Sequence, residues 1–230
     1  MTVSTAGSYD PRVQVATPAQ VRRDVTSFVC ALVAVCAACS TSSPPDKAGI
    51  TPTYDKSSGR LTELAYDSNH NGKVDTWTEM DGARPLRSRV DSNEDGLIDR
   101  WEFYDDRGKL TKVGFSRKND GKADAWAFVG ADGKPQRVEM SSTADEMKID
   151  RWEHYETGVL TSAEEDTNHD GKPDKWESYE DGSLKSASFD ENADGRPDRR
   201  LTYLDGALVS IETDRDAGGT FKTRVSVTPH

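Results

Sequence analysis

Tryptophan occurs at positions 77, 101, 126, 152 and 176 and nowhere else, at intervals of 24, 25, 26 and 24 residues, and Arg200 stands 24 further on. A period this regular marks a tandem repeat, whose units bury apolar surface only by stacking on one another. The candidate folds are thereby reduced to repeat architectures.

Each unit opens with an Asp/Asn/Gly stretch. It reads Asp67-Ser-Asn69-His-Asn71-Gly72-Lys-Val-Asp75 in the first copy and Asp91-Ser-Asn93-Glu-Asp95-Gly96-Leu-Ile-Asp99 in the second. It returns as Asp166-Thr-Asn168-His-Asp170-Gly171-Lys-Pro-Asp174 and Asp190-Glu-Asn192-Ala-Asp194-Gly195-Arg-Pro-Asp198. Two weaker copies lie between them, one ending at Asp124 with Lys118 at its third position, the other keeping only Asp150 before its Trp. A last, frayed copy starts at Asp214. The second half of each unit alternates aromatic and β-branched residues around Asp-Gly or Thr-Gly, as in Glu177-Ser-Tyr179-Glu-Asp181-Gly182-Ser-Leu184. That is the signature of a β-hairpin.

A unit of 24 residues less a nine-residue loop leaves 15, enough for two short strands and a tight turn. With a half-unit at 51–66 in front, the count is seven hairpins linked by six loops over residues 51–230. The expected fold is all-β: an elongated tandem β-hairpin repeat array, either an antiparallel meander or an open β-solenoid. Trp and Tyr are expected to form ladders that pack the core, a carbohydrate-stacking strip being the competing role of the Trp row. Arg200, where the Trp is missing, fits a capping repeat.

The loops carry the chemistry. A hard divalent cation takes six to eight oxygens, and a curled loop brings alternate side chains to one centre. Positions 1, 3, 5 and 9 supply Asp67, Asn69, Asn71 and Asp75; Asp91, Asn93, Asp95 and Asp99; Asp166, Asn168, Asp170 and Asp174; Asp190, Asn192, Asp194 and Asp198. Glu102 and Glu177 stand at position 12 as further candidate ligands. Ca²⁺ is the expected ion, since Mg²⁺ demands stricter octahedral geometry. The competing reading is a metal-free turn, because Asx hydrogen bonds and tolerance of positive φ favour the same residues. The loops resemble EF-hand-like calcium loops, and their period resembles thrombospondin type-3 arrays. The Tyr-x-x-Gly-x-Leu half resembles MORN-type hairpin repeats. These resemblances imply calcium binding; they do not imply the EF-hand fold, which needs a helix on each side of the loop.

The three cysteines, Cys30, Cys36 and Cys39, fall within ten residues of one another, in or beside the one apolar run, 27–38. Twelve residues are too few to span a bilayer but suit the h-region of a signal peptide, with Arg22 and Arg23 before it. Cys36-Ala37-Ala38-Cys39 resembles a bacterial lipobox, with Cys36 where that family usually has Leu or Val. The resemblance implies an acylated Cys39 as mature N-terminus and a lipid anchor in the membrane, with Ser40 pointing to the outer membrane. An ordinary secretory signal and a buried helix are the competing readings. Residues 1–20 are read as an extension upstream of a start near Val21, residues 21–38 as the signal peptide and residues 39–50 as a flexible linker.

A charge of -11 with 41 acidic residues argues against nucleic acid as a partner, because phosphates require Lys and Arg. No catalytic motif stands out. The sequence thus describes a non-catalytic, calcium-binding repeat lipoprotein of the envelope with a protein or glycan partner, or alternatively a metal-free β-repeat recognition protein.

Overall fold

Alternating aromatic and small or polar residues around two-residue turns give strands that pair with the next strand in sequence, and in the computed structural model they do so without interruption. The structure describes residues 49–141 and 148–228; the expectations for 1–20, the signal peptide, Cys39 and the linker up to 48 fall outside the described residues. The strands are β1 Ile50–Tyr54, β2 Leu61–Tyr66, β3 Thr76–Asp81, β4 Arg84–Val90, β5 Arg100–Tyr104, β6 Leu110–Phe115, β7 Ala125–Val129 and β8 Pro135–Met140. They continue as β9 Arg151–Glu156, β10 Val159–Glu165, β11 Lys175–Glu180, β12 Ser183–Phe189, β13 Arg199–Leu204, β14 Ala207–Arg215 and β15 Phe221–Ser226. All fifteen form one open antiparallel sheet in simple sequence order. The meander expected from the repeat is the fold. The copy expected to fray is an ordered turn at 216–220 followed by β15.

Such a meander places seven tight hairpin turns along one margin of the sheet and the long Asp/Asn loops along the other. At Thr157-Gly158, Asp181-Gly182 and Asp205-Gly206 both central residues have positive φ, the conformation that matches strand twist in two-residue hairpins. Every hairpin carries a register shift just inside its turn. Beyond the shift, Tyr faces Leu directly across the pair: Tyr104 and Leu110, Tyr155 and Leu160, Tyr179 and Leu184, Tyr203 and Leu208. The Tyr-x-x-Gly-x-Leu spacing is therefore one cross-strand pair, the unit of sheet stabilisation.

The two faces differ. One carries Glu102, Val113, Ala127, Val138, Glu153, Ala163, Glu177 and Ala187 in a single row of direct partners. Except for Gly114 and Ser210, every buried strand residue lies on this face. The opposite face carries the Trp row. Between successive tryptophans stand Arg89, Gly114, Glu139 and Glu164, one strand apart from each neighbour. The five indoles share a row but do not stack, and each is half-buried. The expected Trp core ladder is corrected accordingly. A Trp recurs only every second strand, and the strong contacts between elements join sheet neighbours only.

Trp126 is the best-seated indole. It lies over Gly114, 6.1 Å from the Phe103 ring and with the Lys112 ammonium 3.8 Å from its own ring centre. A Cβ on Gly114 would come within 2.5 Å of the indole. Gly114→Ala is therefore expected to destabilise the protein by about 1–3 kcal/mol through overpacking. Ser188→Ala, in the same row, should be nearly neutral; urea denaturation of both variants checks this.

Candidate functional site

The long loops share one backbone course. Position 4 is left-handed in His70, Glu94, Asn119, His169 and Ala193, with φ between 55° and 61°. The Gly two residues later also has positive φ, 90° at Gly72 and 91° at Gly96. Two consecutive reversals curl the chain so that side chains at positions 1 and 3 meet the same backbone donor. In the second loop the N–H of Asp95 lies 3.2 Å from Asp91 Oδ1 and 3.1 Å from Asn93 Oδ1. The same pairs converge on Asn71, Asp170 and Asp194.

The other oxygen of each position-1 carboxylate accepts the Gly N–H at position 6, at 2.6–2.9 Å. Position 5 accepts the N–H of position 7: Asn71 from Lys73, Asp95 from Leu97, Asp170 from Lys172 and Asp194 from Arg196. Position 9 turns to the start of the loop, where Asp75, Asp99, Asp174 and Asp198 accept the N–H of position 2. Hydroxyls of Ser68, Ser92 and Thr167 donate to the same carboxylates. Hydrogen bonds to Ser68 and Thr76 hold the Asp75 carboxyl below the usual range against the opposing effect of burial.

Successive loops are joined. The N–H of Asp91 donates to the carbonyl of Asp75, Ser116 to Asp99, Ser141 to Asp124, Asp166 to Asp150 and Asp190 to Asp174, all at 2.8–2.9 Å. Position 4 adds side-chain contacts to the preceding loop. Glu94 accepts from Asn69 and Asn71 and faces Lys73, Asn119 donates to Asp95, and His169 Nδ1 lies 3.8 Å from Asp150. At Ala193 this contact is missing, and a pocket of about 100 Å³ opens between the last two loops, lined by Asp170, Asp174, Asp190 and Asp194 among others. Position 4 as the inter-loop contact was not legible from the sequence, because its partner lies about 24 residues earlier.

The 116–124 loop, short of ligands, keeps the same course. Ser116 Oγ accepts the Asp120 N–H at 3.1 Å, and Arg117 lies 3.2 Å from the buried Asp124. The early part of the 142–150 loop lies outside the described residues.

As a cation site the loops fit in donor kind, being all oxygen, and in part in arrangement. Asp67, Asp91, Asp166 and Asp190 are at most 8 % exposed, and no salt bridge reaches them among the described residues. Each carboxylate has about four lone-pair sites and uses two here. Yet no group of three His, Cys, Asp or Glu side chains is arranged to hold a metal ion among the described residues, since position 9 caps the loop start.

Glu102 and Glu177, expected at position 12 of the loops, are placed elsewhere. Both lie on the buried face of the sheet. Glu102 pairs with Arg100 and accepts from Tyr104, and Glu177 pairs with Arg151 and Lys175 and accepts from Tyr179. Arg151 also bridges Glu153 and Glu165, linking three strands. The physical reason is parity: position 12 falls on the strand face opposite Trp, where Arg or Lys stands two residues earlier.

No protein-family model and no curated protein matches the sequence. Solved structures share only weak likeness, among them the following three. The accessory secretory protein 1, 2 and 3 structure of Streptococcus pneumoniae has TM-score 0.36 at 18 % identity, covering 50 % of this chain and 20 % of that one. A TarM structure of Staphylococcus aureus has TM-score 0.23 at 10 % identity over 63 % of this chain and 24 % of that one. A porin-like protein from Bacteroides uniformis has 0.21 at 11 % over 75 % and 86 %. The chain spans a fifth to a quarter of the length of the first two. At these TM-scores the likenesses carry no weight for fold or function.

Two predictions follow from this geometry. Asp91→Ala leaves the Asp95 and Gly96 N–H groups without their carboxylate and is expected to cost about 1–3 kcal/mol, even in chelator; Asp91→Asn, keeping one acceptor oxygen, should cost less, as read by denaturant melts. Alkaline stability is the second. Burial, and then the hydrogen bond to Glu102, push Tyr104 up to about 12, and burial moves Tyr155 and Tyr179 the same way. Unfolded tyrosine ionises near pH 10, so the stability from these phenols is complete below about 10 and, for Tyr104, is lost as pH rises through about 12, with Tyr155 and Tyr179 holding theirs further. Phenolate absorbance should rise together with loss of the β-sheet signal rather than before it.

Proposed function

We propose that this chain is a non-catalytic envelope protein, tethered through an acylated Cys39, whose loop margin binds Ca²⁺. The observation that carries the reading is the fourfold recurrence of converging oxygens at positions 1 and 3 beside a buried acid that no basic side chain neutralises. A buried charge that has hydrogen-bond donors but no opposite charge is still costly, and a hard cation relieves it. Asp67, Asn69 and Asn71 would hold the ion in the first loop, with the equivalent triplets from Asp91, Asp166 and Asp190 in the other three. A hard ion wants six or more oxygens, so occupancy competes with the backbone caps made by positions 5 and 9. That competition favours weak binding, in the range of about 10⁻⁴–10⁻³ M typical of extracellular modules.

A second reading, a metal-free recognition repeat, is favoured by the 116–124 loop, which takes the same course with Ser116 and Lys118 in ligand positions. Thermal melts in millimolar calcium and in chelator separate the two. On the calcium reading Ca²⁺ raises the melting temperature, each site adding RT ln(1 + [Ca²⁺]/Kd), about 1.4 kcal/mol where about 1 mM ion meets a Kd of about 10⁻⁴ M. Asp95→Ala removes one site's share and Lys118→Ala removes none. A melting curve indifferent to calcium, with no metal bound by mass spectrometry, makes the metal-free reading the correct one.

A further inference from the structure

On the Trp-bearing face, a second row runs beside the tryptophans. Arg87, Phe103, Lys112, Phe128, Arg137 and His154 are direct cross-strand partners on six consecutive strands, β4 to β9. Cation and ring alternate strand by strand. Strands lie about 4.8 Å apart, so the three cations recur roughly every 9.6 Å. Beyond β9 the row changes to Ser162, Ser178, Ser186 and Thr202, and before β4 it is Glu63 and Glu79.

The rings hold the cations in place. Lys112 Nζ lies 3.8 Å from the Trp126 ring centre, 5.4 Å from Phe128 and 5.8 Å from Phe103. The Arg137 guanidinium lies 4.2 Å from Phe128. Arg87 and Arg137 remain 58 % and 46 % exposed, sharing carboxylates with Glu79 and Glu139; no salt bridge reaches Lys112 among the described residues. On this face Arg87 pairs with Glu79, Arg89 with Glu63 and Arg137 with Glu139, so of the four cations on β4 to β9 only Lys112 has no carboxylate partner among the described residues.

We propose that this face binds an acidic polysaccharide, with carboxylates spaced by about one disaccharide. Lys112 without a carboxylate partner, and the exposed guanidinium groups of Arg87 and Arg137, offer cations to carboxylates, and their repeat of roughly 9.6 Å matches an extended glycan in which acidic and neutral sugars alternate. The intervening Phe rings offer apolar surface to the C–H faces of the neutral sugars. A nucleic acid places a charge every 3.4 Å along each strand of a duplex, too closely for this spacing, and its dense charge would be repelled by the acidic loop margin. The proposal is independent of calcium, because the row lies on the sheet face and not in the loops.

The test is binding of a hyaluronan oligosaccharide, one carboxylate per disaccharide, to the full chain by calorimetry in chelator at low salt. Binding that weakens with salt is expected, with at least a tenfold loss in Arg137→Gln and in Lys112→Gln. Glu139→Gln, which releases Arg137 from its carboxylate, should tighten it. Matching melting curves for Arg137→Gln and wild type show that its effect is not misfolding. Failure to bind, equal binding of an uncharged chito-oligosaccharide, or tighter binding of single-stranded oligothymidine each overturns the proposal. Because chelator is present throughout, none of these outcomes bears on the calcium reading.

Discussion

The first residue of each long loop makes two sets of contacts that the sheet depends on. Its backbone N–H donates to the last carbonyl of the preceding loop, and its side chain collects the donors that a sharp curl would otherwise leave unpaired. Backbone donors removed from water must find acceptors, and a nine-residue connection between strands exposes many. Asp at this place, with Ser116 as the variant, closes the loop and ties it to its predecessor in one step. The tie recurs at five successive joints, so the loop margin is a continuous chain of hydrogen bonds running across the strands.

That margin matters because no described element packs on either face of the sheet. Among the described residues the structure has no helix and no second sheet, and its buried apolar side chains are few and mostly small: Phe115 and Met140 beside valines and alanines such as Val113, Ala127, Ala163 and Ala187. Burying so few apolar side chains yields little against the entropy of ordering the backbone, at about 1–2 kcal/mol per residue. The remaining order comes from local closure: bulged hairpins with Tyr against Leu, and ion pairs on the buried face. Arg151, which bridges Glu153, Glu165 and Glu177, is the densest of these. Desolvation offsets part of such a bridge, so its contribution is to fix register as much as to add stability.

The same lack of a second layer explains the tryptophans. In a two-layer protein they would pack across an interface; here they lie half-exposed over whatever the next strand provides. Gly114 gives Trp126 a seat by having no side chain, and Lys112 caps it from the side. The opposite face gathers the more buried carboxylates with their Arg, Lys and Tyr partners, while the Trp face carries more exposed Arg–Glu pairs and the ring-held ammonium of Lys112. The division of charge between faces is a consequence of strand parity, since residues one apart point to opposite sides.

Everything that lies within about a dozen residues was legible from the chain itself. The spacing of the tryptophans gives the period, Asp-Gly turns between alternating residues give the hairpins, and Asp-x-Asn-x-Asp-Gly gives the curled loops, because turn chemistry and strand alternation are local. What spans one period or more was not. Glu102 and Glu177 read as loop ligands by count, yet parity puts them among Arg and Tyr on the buried face. Position 4 gives no local sign of a partner, yet in Glu94 and Asn119 it meets the loop before it. The tryptophans read as a packed ladder, yet the returning strand interposes Arg, Gly or Glu. Each of these depends on the register between strands, where a slip of one residue exchanges the faces, and register is fixed only once the hairpins and loops have closed together.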